Sequence, residues 1–285
     1  MTRTPNLCPS IALLLLLFLA APPAASRATN EPPPRLLDLT YTYNVDAPTM
    51  PSLRAFNMST IVKGIQEEGY WLEMNEFCSA EHSGTHVDAP VHFSRTSWPV
   101  NDIPLDRLWR VPGVVIDVSE AVATSIDKNY AIPVSDLEAW ESQHGAIPDG
   151  AVVFLRTGWG AKSHNLDEYS GVDQHGTFNF PGLSKEAGTW LATYGDRNGL
   201  SKGVVGVGID TSSVDVGSST NYEAHTSMYS HNVYGIENVA NLDQLPTTNF
   251  LVTVMPMKIG GGSGGPSRII AELYDESPNS ASHDL

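Results

Sequence analysis

Cysteine is nearly absent from this 285-residue chain, which has two, Cys8 and Cys78. Cys8 falls in an N-terminal stretch that reads as removable, so Cys78 stands alone and no intramolecular disulfide can form in the mature chain. Cys78 sits four residues before His82, which leaves a thiolate ligand open, although a buried inert thiol is the simpler reading. The fold must therefore rest on a hydrophobic core, which residues 27–285 are long enough to supply. Positive charge is scarce too: 16 Lys and Arg oppose 32 Asp and Glu, a formal net charge of −16. Such a surface repels nucleic acid and disfavours anionic membranes, leaving small molecules, metal cations or other proteins as partners. After the Pro-rich entry Glu31-Pro-Pro-Pro-Arg35 there is no low-complexity linker, repeat or long charge run, so a single domain is expected.

The first 26 residues carry a different message. Arg3 precedes the apolar run Ile11 to Ala20, and Ala24, Ala25 and Ser26 follow, which is the order of a secretory signal peptide. An apolar core of about ten residues is too short for a bilayer that needs roughly 20. The segment is read as cleaved, which predicts a secreted, extracellular protein with no stable membrane anchor. Cleavage removes Arg3 and no acid, moving the net charge from −16 to −17. Asn57-Met58-Ser59 is a glycosylation sequon whose occupancy the sequence leaves open.

Five β-branched runs punctuate residues 27–285: Val114 to Asp117, Val152 to Arg156, Val204 to Asp210, Leu251 to Met255, and Ile269 to Leu273. Bounded by Gly and Pro, they read as mostly buried strands. Two helices show starts and stops. Ser135 with Glu138 predicts a capping box, with Leu137 and Trp140 on the apolar face and Gly145 closing. The second is predicted from Ser184 to about Tyr194, with Ala187, Trp190 and Leu191 inward and Gly195 at its end. Strands interleaved with few helices make the fold a mixed α/β or α+β domain.

Three of the nine histidines and one aspartate fall within eleven residues, His82-Ser-Gly-Thr-His86-Val-Asp88-Ala-Pro-Val-His92. Imidazole nitrogen and carboxylate oxygen suit Zn²⁺ or Mn²⁺, and offsets of 0, 4, 6 and 10 deliver them from one short segment. Gly84 and Pro90 oppose a helix here, so a strand end with a loop is expected. A single histidine is ordinarily solvated or satisfied by a core hydrogen bond. A run of small residues holding three imidazoles and a carboxylate has no such packing rationale. The metalloprotease pattern His-Glu-x-x-His is missing.

Further ligands lie downstream between Glu223 and Asn238, where His225 and Glu237 are twelve apart and His231 is a decoy candidate. Spacing alone does not pair His225 with Glu237. Asp210 and Asp215, at the end of the third predicted strand and in the loop after it, are suited to orienting ligands, fixing a turn or capping the loop. Gly260 to Gly265 lacks the Lys-Ser/Thr of a P-loop and reads as a tight loop near the site rather than a phosphate nest. Phe77, Phe93 and Trp98 are aromatic neighbours of the cluster, suited either to an aryl substrate or to the core.

The string HSGTHVDAPVHF resembles the signature of the cyclase family of metal-dependent hydrolases, which includes bacterial kynurenine formamidase and isatin hydrolase. Every specified position of His-x-Gly-Thr-His-x-Asp-x-Pro-x-His is filled. Further matches follow in order: Leu155 to Trp159, Gly208 to Asp215, His225 with Glu237, and Lys258 to Pro266. The resemblance implies a swivelling β/β/α domain rather than the barrel that many amidohydrolases use. It implies metal ligation by His82, His86 and Asp88, completed by His225 and Glu237, with the two carboxylates bridging. His92 then resembles the family's acid/base. Isatin hydrolase is similar but is understood to use one Mn²⁺ and the signature ligands alone, so Glu237 points toward two ions, Zn²⁺ or Mn²⁺.

The chemistry so implied is attack of metal-activated water on an amide carbonyl, with His92 passing a proton to the departing nitrogen. The expected substrate is a small aryl or cyclic amide, with N-formylkynurenine first and an isatin-like cyclic amide second; esters and lactones stay open. A non-catalytic extracellular binding protein on the same fold is the competing class, disfavoured because binding alone needs no proton shuttle. The family's relatives are often dimers or higher oligomers, which makes a homodimer compatible, although no interface is legible here.

Overall fold

All five β-branched runs are strands of one sheet. The computed structural model describes residues 33–274, and the segment read as a signal peptide lies outside them. In chain order the strands are β1 (Arg35–Asp38), β2 (Asn57–Ile65), β3 (Trp71–Cys78), β4 (His86–Asp88), β5 (Val111–Asp117) and β6 (Ala131–Ile132). There follow β7 (Ala151–Arg156), β8 (Gly182–Leu183), β9 (Val204–Ile209), β10 (Tyr234–Glu237), β11 (Phe250–Pro256) and β12 (Gly264–Leu273). The helices are α1 (Ser119–Thr124), α2 (Val134–His144), α3 (Leu166–Ser170), α4 (Lys185–Ala192), α5 (Tyr194–Asn198) and α6 (Glu223–Tyr229).

Seven strands close into a ring in the order β12, β11, β5, β7, β9, β10, β4 and back to β12, with β1 beside the C-terminal half of β12. From β5 through β7 and β9 to β10 the pairing is parallel. Around the rest of the ring it is antiparallel. The domain is thus mixed α/β with a barrel-like sheet.

Side chains alternate across each strand, and both faces are covered, which is why the sequence shows continuous apolar runs. Val114, Ile116, Val153 and Leu155 face the helices, meeting Leu137 and Trp140 of α2, Trp190 and Leu191 of α4, and Met228 of α6. Val115, Val152 and Phe154 point the other way, joining Val87, Ile236, Val252 and Ile269. Each fully buried aliphatic residue contributes roughly 1.5–3 kcal/mol.

Both helix predictions need correction at one end. Ile132 pairs with Leu183, which keeps the chain extended through Pro133, so α2 begins at Val134 and Ser135 falls inside its first turn without capping it. Gly145 does close α2. Ser184 caps α4, accepting a hydrogen bond from the Ala187 N–H at 3.1 Å, but α4 stops at Ala192 and Gly195 lies within α5. Gly195 is there for space: the Gly203 backbone passes 2.9 Å from where a Cβ would sit.

The antiparallel ribbon of β2 and β3 left no sequence signal, because Met58, Ile61, Ile65, Trp71, Met74 and Phe77 are all exposed and no face alternation results. Cys78 ends this ribbon, exposed rather than buried, with its sulfur 2.9 Å from the Arg54 guanidinium. Asn57 is exposed at the start of the ribbon. Among the described residues no helix is long and apolar enough to cross a membrane.

Candidate metal centre

The signature folds as a strand end with a loop: β4 spans His86–Asp88 and a single 3₁₀ turn, Pro90–His92, follows. β4 lies between β10 and β12, and its register places His86 opposite Glu237. Residues opposite each other on antiparallel strands share a face. That pairing brings together two ligand types from distant parts of the sequence, which no local spacing encodes. His225 joins them from α6.

Two groups result, each with its ligating atoms within 4.8 Å of one another: His82, His86 and Asp88, buried except for the half-buried His82, and Asp88, His225 and Glu237, all buried. Asp88 belongs to both. Its Oδ1 lies 2.6 Å from His82 Nδ1 and 3.1 Å from His86 Nε2, and its Oδ2 lies 3.3 Å from His225 Nε2. Glu237 completes the ring, with Oε2 3.4 Å from His86 Nε2 and Oε1 3.2 Å from His225 Nε2.

The outer nitrogens of two imidazoles are held by groups that only accept. His86 Nδ1 meets the Gly84 carbonyl at 2.9 Å. His225 Nδ1 meets Asp215 Oδ2, which also accepts the His225 backbone N–H. Both rings therefore carry hydrogen on Nδ1 and turn Nε2 toward the carboxylates, the arrangement that prepares imidazole for a metal.

Burial lowers the pKa of His86, but Asp88 and Glu237 outweigh it and raise it to about 10. His225 is raised well above its ordinary value because Asp215, Asp88 and Glu237 overcome its burial. Burial would raise Asp88, yet the imidazoles of His225, His82 and His86 that face it hold it well below the usual carboxylate range. Such a field favours a cation among these atoms, whether a proton or a divalent metal. His86 Nε2 is buried with no hydrogen-bond partner, and the donor set of imidazoles and carboxylates suits Zn²⁺ and Mn²⁺ alike. The residues fit a metal.

His92 stands at the rim. Its ring stacks on His82 at 4.0 Å between centroids and meets Phe93 edge-on at 4.6 Å. It is exposed, but the crowding partly desolvates the imidazole and lowers its pKa. Phe93 lies 4.6 Å from His225, and Tyr222 lies 5.1 Å from Phe93, so two aromatic rings border the opening.

Of the other candidates, His231 is exposed and bonded to the Ser227 carbonyl, outside the centre. Asp215 orients His225. Asp210 instead ties the loop after β7 by accepting from Thr157 N and Oγ1 and Gly160 N. Phe77 stacks on Phe56 in the exposed ribbon, and Trp98 packs beneath Arg107. Tyr229, which sequence reasoning missed, donates its hydroxyl to Asp88 Oδ2 at 2.9 Å. Its position four residues after His225 on α6 was the available signal.

The Cyclase family model matches residues 37–216. An isatin hydrolase of Roseibium aggregatum is 31% identical over 212 residues, covering 72% of this chain and 76% of the relative. A kynurenine formamidase of Bacillus cereus is 25% identical, covering 82% and 95%. The solved structure of isatin hydrolase A from Ralstonia solanacearum superposes with a TM-score of 0.74 at 33% identity, over 84% of this chain and 92% of that one. With a family model covering more than half the sequence and relatives of this identity and coverage, the chain belongs to the cyclase family of metal-dependent hydrolases.

Proposed function

We propose that the protein hydrolyses an amide C–N bond in a small aryl substrate, with a cyclic amide of the isatin type first and N-formylkynurenine second. The observation that carries this reading is the pair of ligand groups sharing the buried Asp88 beside the exposed ring of His92. The greater identity to isatin hydrolases supports placing the cyclic amide ahead of the open formamide, reversing the order expected from the resemblance. The second ligand group, built on His225 and Glu237, favours the two-ion arrangement that the resemblance associates with formamidases.

His82, His86 and Asp88 would hold one metal, and Asp88, His225 and Glu237 a second. A divalent metal there supplies Lewis acidity toward the amide carbonyl and lowers the pKa of a bound water. The surroundings of His92 lower its pKa, which disfavours the charged imidazole at rest. His92 takes a proton from the attacking water at an imidazole nitrogen and delivers it to the departing amide nitrogen as the C–N bond breaks. Phe93 and Tyr222 offer flat apolar faces to an aryl ring. Asp215 and Tyr229 keep His225 and Asp88 aimed.

The test is hydrolysis of isatin and of N-formylkynurenine by the purified chain, with metal content measured and a chelator arm included. Chelator-sensitive turnover of either supports the reading; metal-free protein inert on both overturns it. We also infer export through the secretory pathway, supported by the order of residues 3–26. Mass analysis of protein recovered from medium checks this, and an intact N-terminus on intracellular protein would overturn it.

A further inference from the structure

The glycine-rich segment between β11 and β12 carries one serine, Ser263, and it reaches the metal centre from outside. Its Oγ lies 2.9 Å from His82 Nε2 and 2.7 Å from Glu81 Oε2. The same Glu81 oxygen accepts the Ser263 backbone N–H at 3.0 Å, so it is an acceptor and the serine hydroxyl donates to it. A hydroxyl has one hydrogen. With that hydrogen committed to Glu81, Oγ can only accept from His82, which places an imidazole hydrogen on Nε2 and turns Nδ1 toward Asp88 Oδ1 at 2.6 Å, where a proton bridges the two atoms in a position a metal ion would take over.

The flanking glycines make this approach feasible. A Cβ on Gly264 would lie 2.7 Å from His82 Cε1, and one on Gly262 would lie 2.9 Å from Glu81 Oε1. The backbone is pinned as well, since the Ser263 carbonyl accepts the Ala89 N–H at 2.9 Å, just beyond β4. His82 thus presents Nδ1 to the centre, opposite in sense to His86 and His225, which present Nε2.

We infer that Ser263, held by Glu81, is the positioning residue that sets the tautomer of His82 and completes the His82, His86, Asp88 half of the centre. The inference rests on the metal-dependent reading above. It gives a role to the segment that the sequence reads as a tight loop near the site: the glycines are a cradle for a histidine.

The test is metal uptake by the full purified protein, measured as stoichiometry and as affinity for Zn²⁺ and Mn²⁺ in competition with a chromophoric chelator. Ser263→Ala is expected to weaken one ion of two by 10–100-fold, as losing an outer partner of a ligand does, while the other ion stays. Ser263→Thr keeps the hydroxyl and recovers affinity. Two-ion uptake by Ser263→Ala equal to wild type overturns the inference, as does equal weakening of both ions. Wild-type protein that takes up neither metal overturns the metal-dependent reading itself, a distinguishable result.

Discussion

Asp215 grips His225 twice, accepting its Nδ1–H at 2.5 Å and its backbone N–H at 3.1 Å through the same Oδ2. The other oxygen accepts the Ala224 N–H at 2.9 Å, so the carboxylate holds both the first turn of α6 and the tautomer of the ligand. Asp215→Asn puts an amide N–H₂ where one of these donors must be received. Metal affinity at the His225 side is expected to fall by 10–100-fold, read by titration. Unchanged binding would remove Asp215 from the centre.

His92 touches no carboxylate in either ligand group and contacts the site through its stack on His82. His92→Ala is therefore expected to lower turnover by about 10²–10⁴-fold, the usual worth of a positioned acid/base, with metal content unchanged. Loss of bound metal in this variant would instead make His92 a ligand.

Gly235 lies opposite Asp88 in the β4–β10 register, and a Cβ there would sit 2.2 Å from the Tyr229 hydroxyl. Gly235→Ala must displace the phenol from Asp88, an overpacking expected to cost about 1–3 kcal/mol. Tyr229→Phe removes only the hydroxyl and is expected to cost about 1 kcal/mol. Denaturant unfolding ranks the two; a smaller loss for Gly235→Ala would contradict the crowding.

Metal removal is expected to lower the thermal midpoint, since the buried carboxylates and imidazoles lose the cation their field favours. At free metal 100-fold above Kd the linkage is about 2.7 kcal/mol. Calorimetry with and without chelator measures it, and coincident midpoints would argue against a bound ion.

Away from the centre, Asp149 accepts from Ser201 Oγ and from the backbone N–H groups of Lys202 and Gly203. The Ser201 hydroxyl leads these in pulling its pKa down to about 2. A carboxylate depressed in the folded state stabilises above its unfolded pKa, and that contribution is lost as pH falls toward about 2. The side chain is exposed, so screening keeps the effect below about 1 kcal/mol. The midpoint difference between wild type and Asp149→Asn is expected to be largest near pH 7 and to shrink between about pH 4 and 2. A constant difference would refute the linkage.

The five inner strands were legible because burial on both faces writes β-branched runs into the chain. The ribbon of β2 and β3 was not, because its apolar residues sit on exposed surfaces beside Lys63, Glu73 and Glu76. Helix ends were misplaced where a distant pairing, Ile132 with Leu183, outranked a local capping signal.

The cluster from His82 to His92 was visible in the sequence because its residues are neighbours along the chain, and the family pattern tied it to His225 and Glu237. Only the tertiary structure decided how these groups meet. The β4–β10 register sets Glu237 across from His86, α6 delivers His225 with Tyr229, and the loop before β12 brings Ser263 against His82. Such contacts join residues separated by more than a hundred positions, so strand register and helix docking, not spacing, bring them together, while the nitrogen each histidine turns inward follows from its outer partner: Gly84 for His86, Asp215 for His225 and Ser263 for His82.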